Sequence, residues 1–157
     1  NRAKRSRLPP ATASTPVGPD MADVASLGPG RREARERAIG LLYESEAREL
    51  TVEVLLGEQP LTPANYVVAV LEGVESRRDE IDALINSHAE GWTVDRLPNV
   101  DRAILRLAIW ELVAQPDVPA AVVMDEAVEL AKEYSTERSS SFVNGVLDSV
   151  ARQVRPD

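Results

Sequence analysis

The sequence of 157 residues has no cysteine and a single histidine, His88. These absences exclude disulfides, thiolate metal sites, cysteine nucleophiles and any multi-histidine metal centre, and they fit a reducing cytoplasm. Aromatic residues are also scarce. Although 43% of residues are hydrophobic, only one Phe, two Trp and three Tyr are present, so Ala, Val and Leu must fill the core. That mixture suits packed helices better than sheets. No apolar run approaches the roughly 20 residues that span a bilayer. Lys4, Arg5 and Arg7 mimic the start of a signal peptide, but Leu8-Pro9-Pro10 follows where an apolar segment would be needed. The protein therefore reads as soluble, unexported and free of membrane segments. Asp125, Glu126 and Glu129 form an acidic group, yet no Gly-rich loop, nucleophile elbow or ligand histidine accompanies them. The expectation is a non-enzyme with no catalytic residues, no metal and no cofactor.

The net charge of -8 argues against a nonspecific coat for nucleic acid, but the charge is unevenly spread. Residues 1–30 hold four Lys/Arg against two Asp, and the rest holds 14 against 24, a net of -10. Within that acidic body, residues 31–37 carry four Arg and two Glu. A positive spot on a negative particle would bind one anionic partner locally and leave the remaining surface for a basic protein.

Length and pattern predict an all-α, single-domain bundle of about seven helices in two packed subbundles, preceded by a disordered N-terminal extension over residues 1–30. Asn1 in place of Met, with Met21 further on, leaves open whether residues 1–20 belong to the native protein. The folded part, 31–157, should begin with a helix from Arg31 to Leu50. A short helix over 51–57 is capped by Thr51, and Thr62-Pro63 opens the next. A break falls near residue 76, Gly91 closes that region, and Val94–Leu97 forms a helical turn. Asn99 should cap a central, most buried helix. Ala120–Tyr134 is amphipathic, and a polar link from Ser135 to Ser141 leads to a last helix that Phe142 opens. Trp92 and Trp110 are expected in the core, and His88 at its margin.

The first helix breaks a local rule. Its first turn carries arginines, where the helix dipole favours acids. Exposed guanidiniums beside a helix N-terminus make a natural phosphate site. On a helical wheel Arg31, Arg32 and Arg35 share one arc, which overlaps the apolar arc used later by Leu42, so the first turn should project beyond the core. Arg37 points to the far side. The bland alternative is a solvated helix start with the intrahelical pairs Arg32–Glu36 and Glu33–Arg37. Phe142 fits the apolar spacing 142, 146, 150, yet its place in a first turn would let a base stack on the ring edge. Lys132 and Arg102 read as ordinary surface pairs.

Three stretches together resemble the NusB family of bacterial transcription antitermination factors: RREARERAIGLLYE at 31–44, GWTVDRLPNVDRAILRLAIWEL at 91–112 and DVPAAVVMDEAVELAKEYSTERSSSFVNGVLD at 117–148. The resemblance implies an all-helical fold and a cytoplasmic role in transcription regulation. It also implies partnership with the small-subunit ribosomal protein called NusE. Such a pair binds the single-stranded boxA element of ribosomal RNA leader transcripts and acts on the transcription elongation complex. By position, Arg31, Arg32 and Arg35 match the family's arginine-rich motif and Phe142 its aromatic at the RNA surface; Arg37 extends the motif. Glu33 and Glu36 interrupt the arginine run, and Ser140 and Ser141 stand where a basic residue can occur. Two other readings stay open: a helical protein-interaction adaptor without RNA binding, and an RNA-binding module of the ribosomal RNA methyltransferase type, against which a chain end at Asp157 counts. Oligomeric state is also open, since an apolar, arginine-lined helix end could pair with itself in a homodimer and hide the RNA site.

Overall fold

The computed structural model describes residues 31–156, and the extension expected over 1–30 lies outside the described residues. Seven α-helices follow in order: α1 Arg32–Arg48, α2 Val52–Glu58, α3 Asn65–Ser76, α4 Arg78–His88, α5 Asn99–Ala114, α6 Ala120–Tyr134 and α7 Glu137–Val154. A 3-10 turn, Val94–Arg96, connects α4 to α5. No strand occurs among the described residues, and none of their helices is long and apolar enough to cross a membrane.

Helix α5 is the axis of the fold. Every residue from Asp101 to Leu112 is buried, as expected of a helix that is apolar round most of its circumference. Helices α1 and α3 pack on one side of it, with α2 closing their end; α4, α6 and α7 pack on the other. Two subbundles therefore share one central helix. Most of the charged side chains buried on α5 are matched by opposite charges on neighbouring helices, because burying an unpaired charge is costly. Arg106 is bidentate to Asp82 of α4 at 2.9 and 3.0 Å. Arg102, expected at the surface, is buried instead, with Nη2 2.8 Å from Glu46 of α1 and Nη1 donating to the carbonyls of Val94 and Leu97. It thereby ties the connector to the helix that follows. Lys132 stays at the surface beside Glu129.

The ends of the elements have local causes. Glu49 adopts the left-handed region at φ 54°, stopping α1 at Arg48, and the Leu50 N–H closes back on Ser45 O. Thr51 caps α2 by accepting the Val54 N–H. The break near 76 falls at Arg77, whose side chain caps neither helix. Pro98, and not Asn99, occupies the cap of α5; Asn99 turns its side chain to Arg102. Of the polar link expected over 135–141, only Ser135 and Thr136 lie outside a helix: α7 already begins at Glu137, because Thr136 accepts the Ser139 N–H and the Ser140 hydroxyl is satisfied by Glu137 O. At the chain's far end, Arg155 donates to the carbonyls of Glu111, Leu112, Gln115 and Val118, filling the open C-terminus of α5.

Gly73 sits inside α3 and ends nothing. A Cβ built there would overlap the buried indole of Trp110, so this glycine is the notch that lets α3 and α5 approach.

Candidate nucleic-acid interface

The arginine-rich start of α1 divides into two pairs. Arg31 and Arg35 turn inward, so the expected projection of the first turn beyond the core does not hold. Arg35 is 1% exposed, and its Nε lies 3.0 and 3.2 Å from the two carboxylate oxygens of Glu111, itself 1% exposed. Glu111 also accepts the Tyr66 hydroxyl, and the Arg31 guanidinium lies over the Tyr66 ring, 3.8 Å from its centroid. The cause is a carboxylate on α5, 76 residues downstream, which no helical wheel of α1 can reveal.

Burial, the Glu111 charge and the hydrogen bond to it all hold the Tyr66 phenol protonated well above the ordinary tyrosine range. A raised folded-state pKa contributes stability that is complete below the unfolded pKa of about 10 and is lost as pH rises towards the folded value. Tyr66 should therefore ionise only as the chain unfolds in alkali. Near-ultraviolet phenolate absorbance followed alongside circular dichroism should show one late tyrosine step coincident with unfolding. That step should be missing from Tyr66→Phe.

Arg32 and Arg37 face outward. Arg32 keeps 34% of its side chain exposed, while its Nε and Nη2 donate to Glu126 of α6 at 2.6 and 3.3 Å. That hydrogen bond raises the guanidinium's pKa further. Arg37 is exposed and donates to Gln59 Oε1 at 2.7 Å, so the far side expected for it is solvent. The intrahelical pairs with Glu36 and Glu33 are replaced by these longer-range contacts.

A second region forms where the connector, α5 and α7 meet. Trp92, expected in the core, is 47% exposed. It follows Gly91, whose φ of 79° turns the chain outward after α4. The indole meets Phe142 edge to face at 6.3 Å between centroids. Phe142 is partly buried against the core, and because α7 starts at Glu137 it stands in that helix's second turn and does not open it. Trp92, Leu97, Pro98, Asp101, Arg138, Ser139 and Phe142 line a cleft of about 260 Å³. Asp101 is buried and accepts the Ser139 hydroxyl at 2.8 Å through one oxygen; the other has no hydrogen-bond partner. Arg138 is exposed at the rim. An exposed aromatic and a cation in one cleft can stack a planar base and hold its phosphate. Of these residues the sequence had singled out only Phe142. Trp92 followed by a turn, in a chain with few aromatics, was the available signal.

Between the two regions lies an apolar groove of about 300 Å³ lined by Glu36, Ile39, Gly40, Tyr43, Val100 and Tyr134. Val100 lines this groove and Asp101 the cleft, so the first turn of α5 joins the outer face of α1 to the Trp92–Phe142 cleft in one surface. No group of three or more His, Cys, Asp or Glu side chains arranged to hold a metal occurs among the described residues.

Comparison with known proteins follows the same helices. The NusB family pattern matches residues 32–152. NusB of T. maritima is 36% identical, over 78% of this chain and 91% of its own length, with a TM-score of 0.70. A chain from the crystal structure of antitermination factors NusB and NusE in complex with dsRNA is 28% identical over 78% and 96% of the two chains, at a TM-score of 0.67. The solution structure of NusB from Aquifex aeolicus superposes at a TM-score of 0.60 with 28% identity, covering 81% of this chain and 92% of that one. Since the family pattern spans α1 to α7 and the solved relatives share their packing, this chain belongs to the NusB family.

Proposed function

We propose that this protein is a non-enzymatic, cytoplasmic RNA-binding antitermination factor that, together with the ribosomal protein NusE, binds single-stranded boxA RNA of ribosomal leader transcripts and acts on the transcription elongation complex. The observation that carries the reading is the family match over residues 32–152, joined to a structural likeness to a NusB–NusE–RNA complex. Support within the chain comes from two outward arginines on α1 and an aromatic cleft beside α7, linked through the start of α5. In this reading Arg32 and Arg37 hold phosphate, and a base stacks in the Trp92–Phe142 cleft with Arg138 on its backbone. Arg31 and Arg35 build the helix start that carries them. The acidic remainder of the body faces the basic ribosomal partner.

The test is a titration of a labelled boxA single strand at several salt concentrations, with and without NusE. Each phosphate contact contributes roughly 0.7 to the slope of log K against log salt for a single strand. Arg32→Ala/Arg37→Ala should lower affinity and flatten that slope by up to about 1.4. Trp92→Ala or Phe142→Ala should instead cost about 1 to 3 kcal/mol with the slope unchanged. An unaltered isotherm in all these variants would remove RNA from this surface, and association with NusE that ignores salt would refute the electrostatic part of the pairing.

A further inference from the structure

We infer that Glu126 of α6 is a positioning residue for Arg32: it grips one edge of the guanidinium so that the other edge is held out, ready for a phosphate. The inference rests on the RNA-binding reading above. Its basis is geometric. The contact at 2.6 and 3.3 Å uses Nε and Nη2, the side-on edge of the guanidinium, and Nη1 has no hydrogen-bond partner among the described residues. Glu126 is itself nearly buried, fixed by its place on α6, while Arg32 remains a third exposed. The carboxylate thus belongs to the scaffold and the guanidinium to the surface. A planar fork held by one edge presents the other in a defined direction, which is the arrangement that bidentate phosphate recognition requires.

A carboxylate behind an arginine also subtracts charge, so the sign of its effect must be decided by size. A phosphate on the far edge would lie about 8 Å from the Glu126 carboxylate, roughly a Debye length at physiological salt. At the effective dielectric of about 20 near a protein surface, their repulsion, screened over that distance, weakens binding by about three- to fourfold. An unrestrained arginine must give up the freedom of four rotatable bonds on binding, which costs about tenfold or more in affinity. Positioning outweighs neutralisation. The two carboxylates that serve the arginine-rich turn therefore have different tasks: Glu111 on α5 draws Arg35 into the core, and Glu126 on α6 holds Arg32 at the surface.

The experiment is a double-mutant cycle on the full chain, using the labelled boxA single strand, with melting curves for every variant. Glu126→Ala should weaken RNA binding about threefold or more, and Glu126→Gln, which keeps an acceptor of the same shape, by less. In an Arg32→Ala background the Glu126→Ala change should be silent within about twofold. Equal weakening in both backgrounds would reduce Glu126 to a structural role, and tighter binding by Glu126→Gln would make it a competing counter-ion; either result overturns the inference. A wild-type protein that binds the RNA, with Arg32→Ala at full affinity, overturns the inference alone. A wild-type protein that does not bind overturns the RNA reading together with it.

Discussion

Arg35→Met should remove about 3 to 5 kcal/mol of stability, because it leaves the Glu111 carboxylate buried without its counter-charge. For a domain whose total stability is on the order of 5 to 15 kcal/mol, such a loss shows as a large drop in the midpoint of denaturant unfolding. Glu111→Ala should be comparably severe, since it removes the carboxylate to which Arg35 and the Tyr66 hydroxyl both donate. The double variant Arg35→Met/Glu111→Leu is the informative one. It abolishes both desolvation penalties and fills the site with apolar volume, so it should recover part of the loss of either single change, the remainder reflecting the Tyr66 hydroxyl left without its acceptor. Additive losses in the double variant would contradict a tightly coupled buried pair. The same series bears on function. If Arg35 only builds the helix start, the double variant, once folded, should bind boxA RNA much as the parent does, whereas a direct phosphate contact would leave it weak.

Gly73→Ala is expected to destabilise by about 3 kcal/mol, although alanine is worth about 1 kcal/mol more than glycine in a helix interior. The steric term wins because the new methyl overlaps the indole of Trp110, a large ring that is itself buried and cannot swing aside. Gly40→Ala in α1 is the matched control: nothing lies within 4 Å of its Cβ position, so only propensity acts and stability should rise by about 0.5 to 1 kcal/mol. Chemical denaturation of the two variants should therefore give midpoints that move in opposite directions. A second change, Trp110→Phe, should cost less in the Gly73→Ala background than alone, because the smaller ring relieves the overlap. A Gly73→Ala protein as stable as the parent would show that α3 and α5 can separate without penalty.

Much of this architecture was legible in the chain. The bounds of α6, Ala120–Tyr134, follow from apolar spacing and from the turn that Pro116 and Pro119 bracket just before it. The burial of α5 follows from a helix apolar on nearly all sides, and the break at Arg77 and the turn after Gly91 from local backbone chemistry. These features depend on neighbours within a turn or two, and such information is present in order along the sequence. Even the misplaced start of α7 was a local matter, because a run of Ser and Thr can cap a helix as readily as it can link two.

The working surface was legible only in outline. That residues 31–37 matter was visible in four arginines at a helix start, whereas the spacing of Phe142 pointed to the core and its expected reach to an edge rested on a first-turn place that α7, starting at Glu137, does not give it. Which arginines face a ligand was decided by carboxylates 76 and 94 residues away, on α5 and α6. A wheel places Arg31, Arg32 and Arg35 on one arc, but it cannot say whether that arc meets solvent or a buried acid. Trp92 was misjudged for the same reason, because composition assigns a tryptophan to the core and only the packing of the connector against α7 leaves it beside Phe142. The sequence by itself determined the helices and their order, since these rest on local periodicity and backbone geometry, while the expected chemistry came from its resemblance to the NusB family. The tertiary structure alone decided which charges became scaffold and which remained surface, since the partner that settles a charge's fate is brought to it by folding.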